Sequence, residues 1–306
     1  MLISIFSLFA GSLLLYFGAE WIIKGGVSIS NKFGISKLVI GLTVVAFGTS
    51  LPELLVSLIA VFENSPSLAI GNVVGSNIAN VGLVLGISAL IFPISINYAP
   101  IRRDLFIYLC SCALFILFVF DGRISRFEGG FLFIGLLFYL VVCIKNPTDD
   151  QSDGENKLEF SIFKSAVYVL AGIFALSFGA NFFVDGAIYL ARFFGISEVV
   201  IGMSVVALGT SLPELATSAM AAFKKQSSIS VGNIVGSNIF NILSILGITA
   251  LFRPIDSPTN ILNFEMPYMI AYGFVLILIA KLPQPVHRLS SGLLLSSYFL
   301  FIYLLF

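Results

Sequence analysis

The chain has 306 residues, of which 58% are hydrophobic and 10% charged, and its sixteen basic and sixteen acidic side chains leave no net charge at pH 7. A soluble domain of this composition could not hide its apolar surface from water, and a neutral chain carries no basic footprint for nucleic acid. The solvent that fits is a lipid bilayer, where every spanning segment must be helical because hydrocarbon offers no partner to an open backbone group.

Ten apolar segments follow in chain order, at approximately 1–23, 38–62, 68–92, 104–121, 127–144, 163–188, 199–223, 228–252, 262–282 and 286–306. At about 1.5 Å per residue, each can cross a hydrocarbon core of roughly 30 Å. The first lacks the basic n-region and small-residue cleavage site of a signal peptide, so it reads as a span. The second carries FGISKLVIGLTVVAFGTS from Phe33 to Ser50, followed by LPEL at 51–54, and the third carries GNVVGSNIAN at 71–80. The fourth and fifth hold the three cysteines, Cys110, Cys112 and Cys143. Thiols inside apolar spans read as packing, not as a disulfide framework or a zinc site.

After the fifth segment comes NPTDDQSDGENKLE at 146–159, polar, acidic and short, which reads as a flexible link. The pattern then begins again. FGISEVVIGMSVVALGTS from Phe194 to Ser211 matches the first copy at thirteen of eighteen positions, 161 residues later. The match runs on through LPEL at 212–215 and GNIVGSNIFN at 232–241, and back to FGA at 17–19 and 178–180. The sole histidine, His287, sits beside Arg288 in the loop before the last segment, away from any intramembrane site.

Five spans per copy is an odd number, so the second copy enters the membrane from the opposite side. The expected fold is therefore an all-α integral membrane protein of ten transmembrane helices in two inverted five-helix repeats: 1–145, a cytoplasmic linker at 146–162, and 163–306. Inverted halves give two nearly equivalent packings around a shared midplane site. Lys and Arg number 12 in one alternating set of loops and 4 in the other. The basic set is expected in the cytoplasm, which places both termini outside.

Glu53 and Glu214 sit near the middle of their apolar spans, where an unpaired carboxylate is costly and points to a task. Thr49 and Thr210 precede them by four residues, on the same helix face. Pro52 and Pro213 remove the donors that would serve the Gly48 and Gly209 carbonyls. Ser76 with Asn80, and Ser237 with Asn241, repeat the i, i+4 spacing on the third and eighth spans. All these donors are oxygen, the preference of hard cations such as calcium and sodium. Individually the features have plainer readings, since GxxxG at Gly71–Gly75 and Gly232–Gly236 is common helix packing and a membrane proline is often a tolerated kink. Recurrence at equivalent positions with identical neighbours favours a site.

The twice-present motifs GTSLPE and GSNIxN resemble the alpha repeats of the sodium/calcium exchanger family, within the calcium/cation antiporter superfamily. The likeness spans nearly the whole chain, with alpha motifs at 41–80 and 202–241 and the short central loop of prokaryotic members. It implies ion ligands at Thr49, Ser50, Glu53, Ser76 and Asn80, and at Thr210, Ser211, Glu214, Ser237 and Asn241. The backbone carbonyls of Ala46 and Ala207 would join them. Relatives often carry Asp where this chain has Asn241, so the cage here holds two carboxylates where theirs holds three.

The resulting expectation is an antiporter, not an enzyme, exchanging Ca2+ for Na+ across a prokaryotic plasma membrane, without a cofactor or an obligate protein partner. A Ca2+/H+ antiporter is the alternative, with Glu53 and Glu214 carrying the protons. A cation channel fits less well, because selectivity rings are usually assembled from several subunits.

Overall fold

A computed structural model describes residues 2–145, 160–195, 207–257, 261–282 and 285–305. Helices occupy the ten expected positions, the seventh in part, and the linker expected at 146–162 lies mostly outside the described residues. In the first half these are α1 (Leu2–Phe33), a broken run of α2 (Lys37–Ile40), α3 (Ala46–Thr49) and α4 (Leu51–Phe62), then α5 (Pro66–Ala79) leading into α6 (Gly86–Ile91), α7 (Tyr98–Val119) and α8 (Arg126–Lys145). In the second half they are α9 (Ile162–Phe193), α10 (Ala207–Gly209), α11 (Leu212–Phe223), α12 (Ser227–Phe240), α13 (Gly247–Phe252), α14 (Glu265–Lys281) and α15 (Arg288–Leu304). Among the described residues five helical runs are each long and apolar enough to cross a membrane, and the bent pair at 37–62 makes a sixth. The chain is a multi-pass integral membrane protein, and large apolar side chains such as Phe106, Phe127 and Phe163 face outward, as lipid requires.

Glycines decide how α1 and α9 meet. A Cβ built on Gly11 would lie 2.8 Å from the Gly179 carbonyl oxygen, and one on Gly18 would lie 3.0 Å from that of Gly172. At one end Gly25 abuts the Ser165 carbonyl, and at the other Gly186 abuts that of Ser4. As numbers rise on one helix they fall on the other, so the two repeat-equivalent helices run antiparallel. Only residues without a side chain allow such backbone approach, the usual route to tight helix pairing where lipid removes the hydrophobic drive. At 32 residues each, both helices outrun the spans expected at 1–23 and 163–188. An ion network in which Glu20 accepts from Lys224 at 2.7 Å and Lys24 at 3.1 Å ties α1 to the end of α11.

The remaining helices enclose a core in which α12 is buried along its whole length. Two short clasps join the halves: Arg123–Ile124 (β1) pairs antiparallel with Ile255–Asp256 (β2), and Ile94 bridges Val286. The turns after α4 and α11 each end on a left-handed residue at equivalent positions, Asn64 and Lys225. Cys110 is exposed, whereas Cys112 and Cys143 are buried.

Two local features depart from the expectation. The second span is not a continuous helix: it bends by 41° between Thr49 and Leu51, with Ser50 at φ −84° and ψ 3°, and Ser211 repeats this at φ −85° and ψ 2°. Pro52 and Pro213 thus sit in the first turn of new helices, where a missing N–H costs nothing. Second, π-helical turns interrupt the helices at Gly41–Val45, Asn80–Leu85 and Asn241–Leu246. Such insertions re-aim side chains and recur at functional sites.

A buried oxygen cage between the repeats

The break places Glu53 and Glu214 in the first turns of α4 and α11, where the positive end of the helix dipole favours an anion. This corrects the placement of each glutamate mid-helix with its threonine one turn back. Thr49 closes α3 while Glu53 lies in the first turn of α4, on the two sides of the corner at Ser50. Both carboxylates are buried, at 0% and 1% exposure, and near enough for their charges to interact.

Cross-repeat contacts assemble the site. Ser50 donates to Glu214 Oε1 at 3.2 Å, and Ser237 approaches the same oxygen at 3.5 Å. Thr49 Oγ1 donates to Asn233 Oδ1 at 3.1 Å and lies 3.4 Å from Ser237 Oγ. Its counterpart Thr210 donates to Asn72 Oδ1 at 3.4 Å. Asn80 Nδ2 donates to Asn238 Oδ1 at 3.1 Å, and Asn241 Nδ2 to Asn77 Oδ1 at 3.0 Å. These last two bonds are images of one another under the 161-residue offset, as are the two threonine contacts.

The ten predicted side chains therefore fall where α3–α4 and α5 meet α10–α11 and α12. Thr49, Ser50, Glu214 and Ser237 are tied together by these contacts, Thr210, Asn80 and Asn241 each bond an asparagine of the other repeat, and Glu53, Ser76 and Ser211 are buried on the same elements. Of the two carbonyls, that of Ala46 already accepts from the Ser50 N–H at 3.0 Å and lies 3.3 Å from the Thr49 hydroxyl. Ala207 begins α10.

Sequence reasoning passed over four amides, Asn77, Asn233 and Asn238 buried and Asn72 half-buried. Asn72 Nδ2 donates to the Glu53 carbonyl at 3.1 Å and to Ser57 Oγ at 3.0 Å, and Asn233 does the same for the Glu214 carbonyl at 3.4 Å and Ser218 at 2.9 Å. They clamp the two glutamate helices onto α5 and α12. Asn77 and Asn238 hold the other two amides. The available signal was that all four recur identically within GNxVGSN, in spans where polar side chains are expensive.

The chemistry follows from what remains unpaired. Among the described residues, both oxygens of Glu53, Oε2 of Glu214 and the Oδ1 atoms of Asn80 and Asn241 are buried without a hydrogen-bond donor. Buried polar atoms are nearly always satisfied, and buried carboxylate and amide oxygens that lack a donor can instead accept a positive charge. No group of three or more His, Cys, Asp or Glu side chains occurs among the described residues. A ligand set of carboxylate, amide and hydroxyl oxygens selects a hard cation over a soft one.

Comparison with known proteins agrees. The family model described as sodium/calcium exchanger protein matches residues 3–145 and 164–306. A membrane protein of Methanocaldococcus jannaschii is 38% identical over 89% of this chain and 88% of its own. The sodium/calcium exchanger MaX1 of Methanosarcina acetivorans is 33% identical over 98% of this chain and 97% of its own. The solved structure of the sodium-calcium exchanger NCX_Mj, soaked with zero Na+ and Ca2+, superposes with a TM-score of 0.87 at 35% identity, covering 100% of this chain and 99% of that one.

Proposed function

This chain belongs to the sodium/calcium exchanger protein family, and we propose that it is a secondary antiporter that moves Ca2+ against Na+ by alternating access through the cage between its repeats. The observation that carries the reading is that five acceptor oxygens of the expected ligands, on Glu53, Glu214, Asn80 and Asn241, are buried without a donor among the described residues. Two carboxylates neutralise one Ca2+, and sodium ions are hard enough to occupy the same oxygens in its place. With both ions bound by one set of ligands, loading of one requires release of the other, which is the condition for exchange.

The remaining assignments belong to the same proposal. The ligands are Thr49, Ser50, Glu53, Ser76 and Asn80 with Thr210, Ser211, Glu214, Ser237 and Asn241, joined by the Ala46 and Ala207 carbonyls. The halves 1–145 and 163–306 are inverted repeats, a reading supported by the antiparallel pairing of α1 with α9. That glycine-lined pair is the moving element. Both termini face outward from a prokaryotic plasma membrane, with the linker in the cytoplasm. A cysteine at Ser152, outside the described residues, is then labelled only after the membrane is breached.

A Ca2+/H+ antiporter is the second reading, favoured by the presence of Asn241 where a third carboxylate would have strengthened charge balance for several sodium ions. Calcium uptake into vesicles decides between them. Uptake driven by internal sodium, and absent with a proton gradient alone, supports sodium coupling, and the reverse pattern supports protons. Uptake that neither gradient drives removes the antiport reading.

A further inference from the structure

We infer that Asn77 is a positioning residue that fixes which end of the Asn241 carboxamide faces the ion, so that this amide can serve where a carboxylate would need no orienting. The inference rests on the reading of Asn241 as a calcium ligand.

A carboxylate presents an oxygen whichever way it rotates. A carboxamide presents an acceptor on one edge and a donor on the other, and a donor edge turned toward a cation repels it. An exchanger cage with amides at both Asn80 and Asn241 therefore needs something to hold each amide the right way round. The chain of bonds at Asn77 does this without ambiguity. Asn77 Nδ2 donates to the Asn238 backbone carbonyl at 3.3 Å, and a carbonyl can only accept. That fixes Asn77 Oδ1 on the opposite edge, where it accepts from Asn241 Nδ2 at 3.0 Å. The edge of Asn241 facing Asn77 must then be its NH2, which leaves Asn241 Oδ1 pointing away, buried and without a donor among the described residues. Asn77 and Asn241 are both fully buried, so no water competes for these edges.

The other half shows only the second link. Asn238 Oδ1 accepts from Asn80 Nδ2 at 3.1 Å, but Asn238 Nδ2 has no acceptor among the described residues. The Asn80 amide is therefore held less firmly, and Asn77 is the stronger test.

The experiment measures Ca2+ binding to the purified full-length protein by titration calorimetry. Asn77→Leu removes both edges at similar volume and is expected to weaken Ca2+ binding by about ten- to a hundredfold, the usual effect of losing a group that orients a metal ligand. Adding Asn241→Asp on the Asn77→Leu background should restore the affinity of Asn241→Asp alone, because a carboxylate needs no orientation. Adding Asn80→Asp on that background should not, although it introduces the same charge at the repeat-equivalent position. Rescue by Asn80→Asp as complete as that by Asn241→Asp would overturn the inference, since charge alone would then explain it. Wild-type binding by Asn77→Leu, with binding weakened by Asn241→Ala, would also overturn it while leaving the ligand assignment standing. Wild-type binding by Asn241→Ala would instead remove the ligand reading and the inference with it. Where Asn77→Leu gives no monodisperse protein, Asn77→Ala is carried through the same series.

Discussion

The two halves of the molecule carry nearly the same words and do not use them alike. Glu214 has Oε1 served by the hydroxyls of Ser50 and Ser237, while among the described residues neither oxygen of Glu53 receives a donor. Every residue of α12 is buried, whereas Gly71 in the equivalent helix α5 is exposed. The duplication thus supplies two copies of one set of polar side chains, and their packing gives hydrogen-bond donors to one carboxylate and none to the other. A site in which one carboxylate is held and one is stranded lets a cation trade places without rebuilding the whole cage.

The largest effects should come from the carboxylates. Glu53→Gln or Glu214→Gln halves the charge offered to a divalent ion and should lower calcium transport by at least about a hundredfold, since leaving a buried charge uncompensated costs roughly 3–5 kcal/mol. Near-normal exchange by either variant in reconstituted vesicles would remove these residues from the site. The comparison sharpens in ion-free buffer. Glu53→Gln replaces a buried carboxyl whose oxygens receive no donor and should raise the melting temperature, whereas Glu214→Gln weakens two hydroxyl contacts and should not. Equal shifts would show that the asymmetry does not exist in the ion-free protein.

Packing gives a smaller contrast. A Cβ on Gly232 would stand 2.6 Å from the Leu38 carbonyl oxygen, while among the described residues no atom lies within 4 Å of one on Gly71. Gly232→Ala should cost about 1–3 kcal/mol through overpacking. Gly71→Ala should be neutral or stabilising, as expected of alanine at an open helix position. Paired thermal melts in one detergent measure the difference, and equal losses would mean both helices are packed alike.

Smaller again is the serine pair. Ser50→Ala removes a hydroxyl bonded to Glu214 and should cost about 1.5–3 kcal/mol in ion-free buffer, the range for hydrogen bonds to charged groups. Ser211→Ala removes a hydroxyl with no partner among the described residues and should cost nothing measurable there. The subtlest change is Asn241→Asp, which adds a third carboxylate near two others. Like-charge repulsion should make sodium-driven calcium flux depend more steeply on pH in the acidic range. Superimposable profiles for variant and wild type would mean that position 241 does not face the ions.

Much of this was legible in the sequence because it depends on composition and repetition. Lipid forces apolar stretches into helices, so the positions of ten helical segments follow from hydropathy. A carboxylate in such a stretch is conspicuous because it is costly, and its recurrence after 161 residues marks a site without any coordinates. The repeat also contained Asn72, Asn77, Asn233 and Asn238, but an amide has several plausible partners, and spacing along one helix does not say which it takes.

The chain by itself determined that this is a membrane protein of duplicated helices with paired glutamates and oxygen ligands, because periodicity, hydrophobicity and charge cost are local properties. Only the tertiary structure decided that the helices break at Ser50 and Ser211, that Thr49 reaches Asn233 and Ser237 of the other repeat, that α1 and α9 meet backbone to backbone, and that Asn77 turns the oxygen of Asn241 away from itself. Each of these rests on groups far apart in the chain. A hydrogen bond between positions 164 residues apart is specified by the surfaces that fold brings together, and no local pattern encodes its direction.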